Sequence, residues 1–187
     1  MKVYHGSLGI VNQPEMRKPN RTLDYGSGFY TTTSLQQAED WVRRKMNVFV
    51  KPNDQSDARI GSAMARKGRM KFKEYETAHG FVNVYELDDQ EMDTMKTLLF
   101  QQPTEEWVDF VMLNRRQRGF THDYDVVYGP VANDRVYAAF ALYEGGLIDK
   151  QTLIAELKTY KLVDQYLFHT ERSLHLLKFI EAKEVIL

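Results

Sequence analysis

The sequence predicts an α+β domain with a split, twisted β core, mixed or antiparallel, flanked by helices. Three observations carry this. Stretches rich in aromatic and β-branched residues recur from one end of the chain to the other. Helical periodicities lie between them without a regular strand-helix-strand series. No G-x-G-x-x-G opens a helix, because Gly26-Ser27-Gly28 leads into a strand instead, which argues against a doubly wound parallel sheet.

Taken in order, residues 2–4 read as a strand that enters a turn at His5-Gly6. Residues 8–25 hold Pro14, Pro19, Asn20 and Asp24 and read as a loop. Residues 28–32 fit a pleated surface. Ser34 then stands as a helix N-cap, with Gln37 at the capping-box position. Leu35, Ala38, Trp41 and Val42 share one face of that helix, opposite Gln36, Glu39, Arg43 and Arg44. Residues 51–79 break the pattern and read as an insertion or mobile excursion within a single domain spanning 1–187. "FVNVYEL" (81–87) alternates as a strand. Residues 88–100 are ambiguous, with a short strand at 97–100. Thr104 caps a helix to about Arg118, with Trp107, Phe110, Val111 and Leu113 as its apolar stripe. "YDVVYGPVA" reads as a buried strand running into Gly129-Pro130. A helix from Asp134 to Glu144 ends at Gly145-Gly146. A further helix covers 149–160, with Leu153, Ile154 and Leu157 inward. "QYLFHT" (165–170) is a strand. Thr170 caps a helix that packs Leu174, Leu176 and Leu177, and "AKEVIL" closes as a strand.

Composition bounds the chemistry. The chain has 187 residues, 43% of them hydrophobic and 27% charged, which suits one folded domain with a real core. A formal net charge of −1 provides no global field for nucleic acid or anionic membrane. Cysteine is absent, which excludes disulfides, thiolate catalysis and Cys-based zinc sites. The N-terminal residues lack the apolar run of a Sec-type signal, and no stretch has the length of a membrane span. The expectation is a soluble cytoplasmic protein, or one delivered by a route that needs no such signal.

Several residues could carry function. In His5-Gly6-Ser7, an imidazole at a strand end can hydrogen-bond a ribose hydroxyl, and Gly6 lets a flat group approach the backbone. The same three residues also fit an ordinary turn with an exposed histidine. After Gly28, Phe29 and Tyr30 point to opposite sides of a strand, so one can stack on a planar ligand while the other enters the core, or both can simply pack. The other histidines, His79, His122, His169 and His175, show no metal-ligand spacing, and no metal site is expected. No G-x-S-x-G marks a nucleophilic serine. The basic run Arg66, Lys67, Arg69, Lys71 and Lys73 suits either a solvated face, since acids flank it, or a dock for an acidic or nucleic-acid target.

"VYHGS", "LDYGSGFYTT", "QAEDWV", "VNVYELD", "DYDVVYGPVAND" and "DQYLFHTERSLHLLKF" stand in that order and span nearly the whole chain outside 51–79. Together they resemble the ADP-ribosyltransferase superfamily, in its poly-ADP-ribose-polymerase-like, His-Tyr-Glu branch. The chain looks most like a bacterial family of small ADP-ribosyltransferase-like domains of unassigned function. The resemblance implies an NAD-dependent mono-ADP-ribosyltransferase acting on a protein or nucleic-acid acceptor, in a toxin or effector role that an antitoxin would accompany. NAD is then a substrate, and no metal is needed. His5 would hold a ribose hydroxyl, the Gly6 backbone the nicotinamide amide, and Ser7 and Gly28 would border the same pocket. Tyr30 would stack on the nicotinamide and Trp41 would be a second stacking aromatic. Where the branch places its catalytic Glu, this chain has Gln165. A glutamine can hydrogen-bond the ribose but brings no charge, and losing a preorganised electrostatic group costs roughly 10²–10³ in rate. Asp134, Asp164 and Glu171 are the carboxylates that could substitute. Asp134 also fits a helix N-cap, and Glu171 an acid in a first helical turn. A non-catalytic NAD or ADP-ribose reader and an NAD glycohydrolase are the alternatives.

Overall fold

In the computed structural model, the described residues are 1–16, 23–50, 79–117, 119–131, 134–159 and 162–186. The insertion or mobile segment expected at 51–79, together with the basic run inside it, lies outside them save for His79. Of the described residues, seven strands make two sheets. In the first, β1 (Lys2–Ser7), β3 (Gly80–Leu87) and β7 (Leu177–Val185) run antiparallel in the order β1-β3-β7. In the second, β2 (Phe29–Thr31), β6 (Asp164–Phe168), β5 (Val126–Pro130) and β4 (Thr97–Leu99) lie in the order β2-β6-β5-β4. Only the β4–β5 pair in it is parallel. The α+β class and the mixed, split β core expected from the sequence are therefore present.

The helices take the faces that their apolar residues dictate. On α1 (Leu35–Val50), Ala38, Val42 and Met46 bury against Val82 and Val185 of the first sheet. The other side of that sheet meets the second sheet across a core of Val3, Tyr85, Leu87, Phe29, Tyr166 and Phe168. The far face of the second sheet is covered by α3 (Glu105–Arg116), α4 (Asp134–Glu144) and α5 (Lys150–Lys158), around Trp107, Val111, Phe140, Leu153 and Leu157. The layers thus run helix, sheet, sheet, helices. Burying one large apolar side chain contributes about 1.5–3 kcal/mol, so these three cores carry the fold. Among the described residues, no helix is long and apolar enough to cross a membrane.

The end signals hold where they are local. Ser34 Oγ accepts the Gln37 N–H at 3.2 Å, Thr104 caps α3 through Trp107, and Asp149 caps α5 through Thr152. Asp88 caps a four-residue helix, α2 (Asp89–Met92), in the stretch that was ambiguous. Two boundaries and one helix face differ. β1 runs on through His5 and Gly6 to Ser7, because Ser7 still pairs with Phe81. The helix at Thr170, α6 (Glu171–Leu174), keeps its capping box but lasts one turn. Leu174, Leu176 and Leu177 are all buried, yet Leu177 already begins β7. On α3, Leu113 is exposed, and Val108 and Met112 take the inward positions with Trp107 and Val111.

Candidate functional site at the seam of the two sheets

The two sheets are stitched where β1 meets the end of β2. Tyr4 N–H donates to Thr32 O at 2.8 Å, and Thr32 N–H returns to Tyr4 O at 2.9 Å. This bridge puts the early motif beside the second one. His5 Nδ1 lies 2.7 Å from Tyr30 O. A carbonyl only accepts, so Nδ1 carries the proton and a neutral ring keeps its lone pair on Nε2. The His5 ring stacks on Phe29 with centroids 4.3 Å apart. Gly6 is pressed against α1: a Cβ there would lie 2.7 Å from Ala38 O and 3.2 Å from the Trp41 ring. Trp41 therefore covers Gly6 from the helix side, half-buried, with the Lys45 ammonium 5.3 Å from its ring centroid. Ser7 Oγ accepts the Gly9 N–H at 3.2 Å and closes the turn after β1.

Tyr30 is half-buried, and its ring packs against the core that contains Leu167. Its phenol donates to Gly26 O at 2.7 Å and accepts the Tyr25 N–H at 3.3 Å. Gly28, with φ +147°, allows β2 to close on β6, since a Cβ there would sit 2.3 Å from Phe168 O. The third motif enters through β6. Tyr30 pairs with Leu167 and Thr31 with Tyr166, so the next positions bring Thr32 and Thr33 to Gln165 and Asp164. The Asp164 carboxylate accepts the Thr33 N–H at 2.9 Å, the Thr33 hydroxyl at 2.5 Å, the Thr32 hydroxyl at 3.4 Å and the Tyr128 hydroxyl at 3.3 Å. Burial first, and Asp164 second, push the Tyr128 phenol pKa up. Asp164 also lines a cavity of about 340 Å³ with Phe100, Tyr128, Gly129, Pro130 and Lys158.

Gln165 faces the other way. It pairs with Gly129, beside the fully buried Tyr25, and its Nε2 is buried with no hydrogen-bond partner. Tyr25 receives the Trp107 indole N–H at 2.7 Å and donates to Pro130 O at 2.8 Å. Burial raises the Tyr25 phenol far above the usual range, against the hydrogen bond from Trp107.

The seam thus gathers His5, Gly6, Tyr30 and Trp41, and Gln165, two residues from the Leu167 that pairs with Tyr30, lies on the same face of the second sheet as the Tyr30 ring. Glu171 is not brought there. It is exposed in α6, beyond the opposite end of β6, where its neighbours Thr170 and Arg172 engage Asp125. Asp134 is the first residue of α4, and its carboxylate lies outside the described side chains. Among the described residues, no three His, Asp or Glu side chains are grouped as metal ligands would be.

Sequence reasoning missed how firmly the turn before β2 is held. Arg115 donates to Asp24 from Nε at 2.9 Å and from an amino group at 2.7 Å, with both side chains nearly buried. His122 Nε2 lies 2.8 Å from Tyr25 O, and His169 Nδ1 lies 2.6 Å from Ser27 O. One signal was present: a buried tryptophan needs a partner for its N–H, and Trp107 implied one.

A family model for a protein of unknown function, DUF3990, matches residues 1–179. The chain belongs to the DUF3990 family. The match takes in β1, β2 and β6, so every residue of the seam lies within the family's extent. No curated protein and no solved structure matches the chain.

Proposed function

We propose that this DUF3990 protein is an NAD-dependent mono-ADP-ribosyltransferase acting on a macromolecular acceptor, in a toxin or effector role. One observation carries the reading: the three motifs of the resemblance, far apart in sequence, meet at one seam, where His5 bonds the Tyr30 backbone and Thr32-Thr33 meet Asp164-Gln165. In this reading His5 Nε2 accepts a ribose hydroxyl, the Gly6 backbone grips the carboxamide, and Tyr30 and Trp41 flank the nicotinamide ring. The bond from ribose C1′ to the nicotinamide nitrogen breaks, and its electron pair leaves with nicotinamide. The positive charge left on C1′ and the ring oxygen is quenched by an acceptor oxygen or nitrogen, which forms the new bond and sheds its proton. Asp164 supplies the negative charge that Gln165 lacks. It stands next to Gln165 on the same strand and is oriented by four donors.

Gln165, which brings no charge where the resemblance expects a carboxylate, favours a second reading, an NAD- or ADP-ribose-binding module without turnover. One experiment separates these. The protein is incubated with a cell lysate and NAD labelled on either the adenine or the nicotinamide. Adenine label on lysate macromolecules identifies a transferase. Nicotinamide release without such labelling identifies an NAD glycohydrolase, and binding with neither identifies the reader. Absence of NAD binding overturns all three.

A further inference from the structure

Tyr30 is held from behind by a turn that two histidines grip. We infer that His122 and His169 are positioning residues for Tyr30: by clasping the backbone of residues 25–27 they fix its ring, and a second proton on His122 releases it. The inference rests on Tyr30 being the residue that stacks on nicotinamide.

Both imidazoles donate to carbonyls of the same turn, His122 to Tyr25 O and His169 to Ser27 O. The residue between these carbonyls is Gly26, held at φ +97°, and its own carbonyl accepts the Tyr30 hydroxyl. Tyr25 N–H donates back to that hydroxyl. Three consecutive residues are therefore gripped by histidines on one side and by the Tyr30 phenol on the other. The two rings lie 4.1 Å apart, centroid to centroid, so two positive charges there would repel strongly. His122 Nδ1 is buried without a hydrogen-bond partner, so a second proton on that ring would find no acceptor. Burial, and to a lesser degree His169, hold the His122 pKa below its ordinary 6.5 against the opposing pull of the Tyr25 carbonyl.

The charged groups around the pair are otherwise engaged. Asp123, next to His122, pairs with Lys96. Asp125, on the His169 side, takes the Thr170 hydroxyl and pairs with Arg172. Asp24, at the start of the turn, pairs with Arg115. Phe110, Tyr124 and Phe120 supply the aromatic walls at 5.3, 5.6 and 6.5 Å from His122. None of these carboxylates hydrogen-bonds either ring among the described residues: Asp123 favours a charged His122 only through space, and burial outweighs that attraction, while Asp125 acts on His169 in the same way, through space.

The test reads the turn directly. Amide-exchange protection of Tyr25 and Gly26, corrected for intrinsic rates, is followed from pH 8 to pH 5 in the wild type and in His122→Gln, which keeps an N–H donor but cannot titrate. NAD affinity is measured alongside. In the wild type, Tyr25 protection falls by up to about tenfold per pH unit, the slope of one linked proton, and NAD affinity falls with it. In His122→Gln both profiles are flat. If wild-type protection shows no inflection, or if the variant keeps it, the inference is overturned. An inflection in protection with no NAD binding at any pH upholds the clasp and removes the NAD reading. Should the variant not fold, the wild-type His122 and Tyr30 ring resonances decide: inflection at a common pH supports the clasp, and independent behaviour overturns it.

Discussion

Tyr25 shows how much one side chain can organise. Its ring fills the core beneath the second sheet, and its hydroxyl joins α3, through Trp107, to the end of β5, through Pro130. Replacing Tyr25 with Phe keeps the ring and strands two polar groups, the indole N–H and the Pro130 carbonyl. Each buried group left unsatisfied costs about 1–3 kcal/mol, so the variant is expected to lose roughly 2–6 kcal/mol in urea unfolding, with an unchanged m-value. Asp164 poses the complementary question. Its four donors make it a well-oriented carboxylate beside Gln165. Asp164→Asn retains the shape and one acceptor oxygen but removes the charge. If Asp164 balances the charge that grows on ribose, kcat for NAD consumption drops roughly 10²–10³-fold with little change in KM. An equal rise in KM with kcat unchanged would make it a ground-state binding group.

At the scale of elements, the glycines tie strands to their neighbours. The side-chain face of Gly6 is filled by α1, which leaves only its backbone edge for a ligand. Gly6→Ala sets a methyl against the Ala38 carbonyl, Val42 and Trp41, none of them the free end of a flexible chain. Overpacking of this kind costs about 1–3 kcal/mol, so the unfolding midpoint in urea should fall by that equivalent. A variant as stable as the wild type would mean that α1 shifts freely on β1. The elements also show what the sequence could reveal. Ser34, Thr104 and Thr170 announced their helices because capping is decided within three residues. The short α6 was not legible, because Leu177 fits a helical stripe and a strand equally well, and its pairing with Leu87 decides the matter. β7 carries an irregularity opposite Val84 and Tyr85, where Ile180 has no paired residue, and nothing in "FIEA" announces it.

Across the whole molecule, the unreadable parts are the long-range ones. The Tyr4–Thr32 bridge, the Asp24–Arg115 pair and the contact between His122 and His169 join residues whose local sequences carry no mark of one another. Such contacts also set how stability responds to acid, in two windows. His122 has a folded pKa below its ordinary 6.5, so below that pH the unfolded chain binds more protons than the native one. Its contribution is complete above pH 6.5 and is lost as pH falls toward the lower folded value. Asp125 defines the second window. Burial works against its charged form, but the Lys96 N–H, the Thr170 hydroxyl and Arg172 outweigh it and hold the carboxyl below its ordinary 3.8. Its stabilisation persists down to about that pH and disappears as pH falls through the lowered value. Urea midpoints measured from pH 8 to pH 2.5 should therefore fall in two separate steps. His122→Gln should erase the upper step and leave the lower, whereas Asp125→Asn should shrink the lower step and leave the upper. A single descent, unaltered by His122→Gln, would place the acid sensitivity of the fold elsewhere than at the histidine pair.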